Sequence, residues 1–163
     1  MLVYHPAYDS YHCITRIIKI LTTLETKEYN IDRIKIYDYF LLFINDIQKI
    51  TLPLSLFKYK NLVNSNKYNQ IEDSKYVFNQ LDHAQIVAFR AMASFGFIDK
   101  FLYEKEIISF GEIPIPNGLV SNITGAEAEY FSLVKDYFEK LSLRELKQRT
   151  KIMDYRYELS KDK

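Results

Sequence analysis

Only four glycines occur in this chain of 163 residues, and none of them precedes Gly96. Glycine is the residue that enters left-handed backbone conformations without steric cost. The first 95 residues must therefore change direction without it, which favours helices joined by extended links over tight turns. The same absence excludes whole enzyme classes. A phosphate-binding loop wraps an anion in backbone N–H groups and needs glycines to do so. Neither GxxxxGK[ST] nor GxGxxG is present. Any nucleotide hydrolysis in this protein's biology is expected to belong to a partner.

Composition adds three bounds. An apolar fraction of 48% and a charged fraction of 26% are ordinary for a soluble globular chain, and this length makes one domain with a real core. The excess is aromatic, with 14 Tyr and 11 Phe but no Trp. A lone cysteine, Cys13, cannot form an internal disulfide, and no signal-peptide pattern is seen at the N-terminus. The longest apolar run, Tyr39 to Ile44, falls far short of the roughly 20 residues of a membrane span. We expect a cytoplasmic protein with no membrane contact.

Periodicity and capping residues predict helices. Asp9 or Ser10 can cap a first helix, along which Ile14, Ile17, Ile18, Leu21 and Leu24 recur at helical spacing. A second is expected from Asn30 to about Ile50, before Pro53. Its apolar side chains run nearly all round, so it is either a buried central helix or a face awaiting a partner. Tyr37, Phe40 and Phe43 are the candidates for that face. The polar residues 55–76 read as a loop with one short element. Asp82-x-x-Gln85 matches a capping box and is expected to open a helix that Gly96 stops. A short helix from Asp99 to about Lys105 follows, then extended segments over 107–110 and 112–115.

Thr124-x-x-Glu127 and Ser142-x-x-Glu145 are two further boxes, the second opening a helix to about Tyr155. Between them Tyr130, Phe131, Val134, Tyr137, Phe138 and Leu141 form an aromatic stripe, and Tyr130 and Tyr137 are further candidate partner contacts. The expected fold is one compact, mainly α domain with a small winged-helix-like β element. It divides into an N-terminal helical part over 1–52, a winged-helix-like unit over 82–116 and C-terminal helices over 124–163.

Catalytic constellations are thin. The candidate metal ligands are His5, His12, His83 and Cys13, and the adjacent His12 and Cys13 would point about 100° apart on a helix. No metal or cofactor is expected. Cys13 lies near a helix N-terminus, where a thiol can be activated, but it shares a row with Ile17 and Leu21 and reads as a small core hydrophobe. The carboxylate pairs Glu104/Glu106 and Glu127/Glu129 do not share a helical face. An enzyme is not expected.

Charge is segregated instead. Residues 99–140 carry four basic and eight acidic groups, and residues 141–163 carry seven basic and four acidic. Such blocks suit docking between subunits, and they also suit plainly solvated helix faces. Lys58, Lys60 and Lys67 interleave with Tyr59 and Tyr68, and Arg144, Lys147 and Arg149 line the last helix. These six basic residues are the candidate DNA contacts of a second reading, a DNA-binding winged-helix regulator. The short helix of that unit would carry Asp99, Glu104 and Glu106, which suits protein contacts better than phosphates.

The opening stretch Tyr4-His5-Pro6-Ala7-Tyr8-Asp9-Ser10-Tyr11-His12-Cys13 runs into Arg16-Ile17-Ile18-Lys19-Ile20-Leu21. It resembles the start of the small middle component of prokaryotic ABC-three-component defence systems, which include the Lamassu anti-phage systems. The stretch from Gln85-Ile86-Val87 to Phe95-Gly96-Phe97-Ile98 is similar to that family's helix with a glycine stop. The resemblance covers residues 3–50 and extends to 82–115. It implies a non-catalytic adaptor that binds an SMC-like ATPase much as a kleisin does, and that holds or releases an effector, often a nuclease. It carries over no catalytic residue, and DNA contact is expected through the assembled complex.

Overall fold

The computed structural model describes residues 8–24, 26–61 and 71–153. Among the described residues six α-helices carry the fold: α1 Ser10–Thr23, α2 Ile31–Leu42, α3 Ser74–Phe95, α4 Lys100–Glu104, α5 Gly125–Asp136 and α6 Leu143–Thr150. Two short strands, β1 Tyr29–Asn30 and β2 Ile107–Ile108, form an antiparallel pair with Tyr29 opposite Ile108. The chain is mainly α with a small β element, packed around one continuous core.

The central element is α2, which touches α1, α3, α5 and α6. Ile34, Ile36, Tyr37, Asp38, Tyr39, Phe40 and Leu41 are all buried, so its apolar side chains face packed neighbours on every side. Asn30 caps it by accepting the Asp32 N–H at 2.8 Å. The expected continuation to Ile50 does not occur. The helix ends at Phe43 (φ −117°, ψ 63°) and resumes as a 3-10 turn over Ile44–Lys49. The break swings Asp46 back toward Tyr39, two turns earlier on the expected helix. There the buried Asp46 carboxylate accepts the Tyr39 hydroxyl, accepts Ser74 Oγ at 2.6 Å and pairs with Lys49 at 3.0 Å. Satisfying a buried carboxylate outweighs continuing a regular helix.

The Asp9 side chain caps α1 by accepting the Tyr11 N–H at 3.0 Å. Its core face is Cys13, Ile17, Ile18, Ile20 and Leu21. Isoleucines are stiff and only moderate helix formers, so α1 depends on burial against α2 and α3. α3 begins nine residues before the start expected from a cap at Asp82. Its true cap is Asp73, which accepts the Tyr76 N–H at 3.1 Å. The Asp82-x-x-Gln85 spacing falls mid-helix, where both side chains bond to α2 instead: Asp82 to Lys35 Nζ at 2.7 Å, Gln85 to Asp38 at 2.8 Å.

Gly96 ends α3 as expected, in the left-handed region at φ 78°. α4 follows, capped by Asp99 onto the Leu102 N–H at 2.9 Å. The extended stretch after it does not fold back on 112–115. Its start pairs with β1, and beyond it Ile98 and Phe110 form an isolated bridge. Helix, glycine stop, short helix and one strand follow in the expected order, but 112–115 forms no strand and the strand partner is β1, from before α2.

Thr124 caps α5 by accepting the Glu127 N–H at 3.3 Å, but Glu127 turns to Lys19 Nζ at 2.6 Å and does not close the box. The Ser142/Glu145 box closes fully, at 3.1 Å and 2.8 Å. The bend between α5 and α6 is held by Arg33, which donates to the Phe138 and Leu141 carbonyls at 2.8 Å and 2.6 Å. α6 stops at Thr150, short of the expected Tyr155, with Lys151 left-handed at φ 60°.

Candidate functional site

The aromatic candidates divide. Tyr37, Phe40 and Tyr130 are buried and form the centre of the core, which corrects the expectation that they present a docking face. Tyr37 stacks on Phe138 with centroids 6.2 Å apart, and the Tyr130 hydroxyl donates to the Tyr37 carbonyl at 2.9 Å. The physical reason is the central place of α2: rings that look surplus along one helix fill the space between five elements. Phe43 and Tyr137 are half-buried at the margin of the core. Phe43 lines a shallow groove of about 280 Å³ with Leu42, Ile44 and Ala126.

The basic candidates divide too. Lys58 and Lys60 lie on a 3-10 segment, Leu54–Asn61, with their ammonium groups 4.9 Å and 5.2 Å from the Tyr59 and Phe57 ring centres. Arg144 and Arg149 are exposed on α6. Lys147 is not a surface base: it is buried at 3% exposure and pairs with Asp32 at 2.8 Å, tying α6 to α2. Lys67, His5 and the stretch from Tyr4 to Ala7 lie outside the described residues.

The candidate ligands do not converge. His12 Nδ1 lies 2.8 Å from Asp9 Oδ2, and His83 is exposed on α3. Among the described residues no group of three His, Cys, Asp or Glu side chains could hold a metal ion, and no helix is long and apolar enough to cross a membrane.

The most concentrated polar chemistry is interior. Asp38 of α2 is fully buried and receives Arg16 Nε at 2.6 Å, Arg16 Nη2 at 3.2 Å, Gln85 Nε2 at 2.8 Å and Cys13 Sγ at 3.7 Å. One carboxylate thus joins α1, α2 and α3. Burial, and then the negative charge of Asp38, push the Cys13 thiol far above its ordinary range. A thiol held protonated in the core is no nucleophile. This cluster is a structural lock.

One group of exposed apolar side chains belongs to the corner where α3 meets α4. Phe95, Phe101, Phe110 and Ile113 are all exposed there, and Phe95 contacts the ring of Phe97 at 5.5 Å. Sequence reading missed this group. Phe95 is the last residue of α3, and the other members lie in short segments where no periodicity separates inside from outside. The available signal was the pair of phenylalanines flanking the glycine stop.

These features define a small helical domain with a buried ion-paired cluster at Asp38 and a group of exposed apolar side chains at the α3–α4 corner. The chain belongs to the family of ABC-three component (ABC-3C) system Middle Component 5, whose model matches residues 2–158. Comparison with the curated proteins and with the solved structures gave no match. The family designation is that of one component among several, and it points to a defence-system subunit that associates with other components.

Proposed function

We propose that this middle component is a non-catalytic adaptor in an anti-phage complex. It binds the head of an SMC-like ATPase in the manner of a kleisin and holds or releases an effector nuclease. The observation that carries the reading is the family match over residues 2–158. The chain's own chemistry is consistent with it, since its one thiol is buried and bonded to Asp38. Phe43 and Tyr137 are the marginal aromatic contacts left to this role.

Co-expression with the genes beside it is the test. The reading expects an SMC-like ATPase gene among them and a stable complex on purification. A chain that purifies alone in the presence of every neighbour refutes it. A second reading, direct DNA binding, draws on exposed Arg144 and Arg149 together with Lys58 and Lys60. It expects the purified chain alone to bind duplex with a steep salt dependence. Binding seen only in the assembled complex assigns the contact to the complex.

A further inference from the structure

Exposed apolar side chains scattered singly are ordinary, whereas contiguous ones mark contact surfaces. Phe95 is 60% exposed, Phe101 77%, Ile113 50% and Phe110 45%, and the backbone brings them to one corner. Asp99 N–H donates to Ser109 O at 2.9 Å, Gly111 N–H to Phe97 O at 2.8 Å and Ile113 N–H to Gly96 O at 3.1 Å. α4, carrying Phe101, spans the two tied segments. The corner needs two of the four glycines. Gly96 takes φ 78°, and a Cβ on Gly111 would stand 2.2 Å from the Gly96 carbonyl oxygen. A chain that otherwise avoids glycine uses it here to hold bulky rings outward on a rigid frame.

We propose that this corner docks an apolar segment of another protein component, flanked by lysine or arginine. The inference rests on the adaptor reading and adds the surface and the chemistry of what it binds. Charge selects the occupant. Residues 99–113 carry Asp99, Glu104, Glu106 and Glu112 against Lys100 and Lys105, and the three glutamates are exposed. An acidic rim repels a phosphate backbone, which removes nucleic acid. A twofold contact with a second copy would set the same acids against each other. A basic-flanked protein segment satisfies both the rings and the rim. A standard interface covers about 800 Å² per partner, so these rings form its apolar centre within a wider polar margin.

The test uses the full chain titrated with each purified component encoded beside it. Phe101→Ser combined with Phe110→Ser should weaken binding to one component about tenfold or more. Glu104→Lys combined with Glu112→Lys should weaken it at low salt, with the difference closing at high salt as rim charges are screened. Leu54→Ser, at an exposed site away from the corner, should leave the affinity unchanged. Circular dichroism and the urea midpoint establish that each variant is folded, and the charge pair alters only exposed side chains if the ring variant is not. A complex that forms with wild-type affinity in both corner variants overturns the proposal and leaves the adaptor reading standing. A wild-type chain that binds no component overturns both. Self-association of the chain alone, lost in the ring variant, assigns the corner to a second copy and overturns the proposal.

Discussion

Lys151 closes the last turn of α6 in a conformation that costs an L-residue energy. Its φ is 60°, and its N–H donates to the Lys147 carbonyl at 2.9 Å. Helices commonly end on such a residue, and it is usually glycine, which meets no Cβ penalty there. Lys151→Gly should therefore stabilise the fold by about 0.5–1 kcal/mol. The measurement is a urea titration, with a higher midpoint and an unchanged slope. A lower midpoint would mean that the lysine side chain contributes more than the strain costs. Cys13 invites the opposite experiment. It is fully buried and its thiol is held protonated, so Cys13→Ala removes packing rather than chemistry. The loss should be about 1–2 kcal/mol of stability, with the activity of the assembled defence system intact. An inactive but folded Cys13→Ala complex would reinstate the thiol as a working group.

At the scale of elements, local signals and long-range ones part company. The caps at Asp9, Asp99 and Ser142 and the stop at Gly96 were readable because each is decided within one turn of chain. The end of α2 and the start of α3 were not, because Asp46 joins Tyr39 and Ser74, 28 residues apart from the latter. Asp82-x-x-Gln85 misleads for the same reason: both residues look like a cap locally and serve α2 in the fold. The aromatic surface was misplaced because periodicity identifies a ring-rich helix without saying how many neighbours enclose it. The two accounts of α3 predict different losses. With the cap at Asp73, Asp73→Ala should cost about 1 kcal/mol. Asp82→Ala should cost less than about 1 kcal/mol, since it loses only a partly exposed pair with Lys35. Thermal or urea denaturation of the two variants decides, and the reverse order would return the helix start to Asp82. Asp38→Ala belongs to the same scale. It strands Arg16 in the shared seam of α1, α2 and α3, and should cost about 3–5 kcal/mol.

The whole molecule is closed around buried phenols. Tyr29, Tyr37, Tyr39 and Tyr130 are each 3% exposed or less, and they come from β1, α2 and α5. Burial raises all four above the ordinary tyrosine range, Tyr29 to about 12 and the others further. A phenol whose folded value lies above its unfolded one binds its proton more tightly in the native state. Its contribution is then fully present below the unfolded value, near pH 10, and is lost as pH rises through the folded value. Stability should be insensitive to these groups at neutral pH and should fall steeply above about pH 10, with each such tyrosine adding about one proton to the slope. Because all four rings meet around α2, no one of them can ionise without opening the core. Tyrosinate absorbance from the buried set should therefore rise together with the loss of helical circular dichroism, in one cooperative transition. Tyr130→Phe should make that alkaline slope shallower while removing one hydrogen bond, to the Tyr37 carbonyl. Gradual ionisation of every tyrosine with the helical signal retained would mean that the core admits water, and that these four rings do not close the fold as one unit.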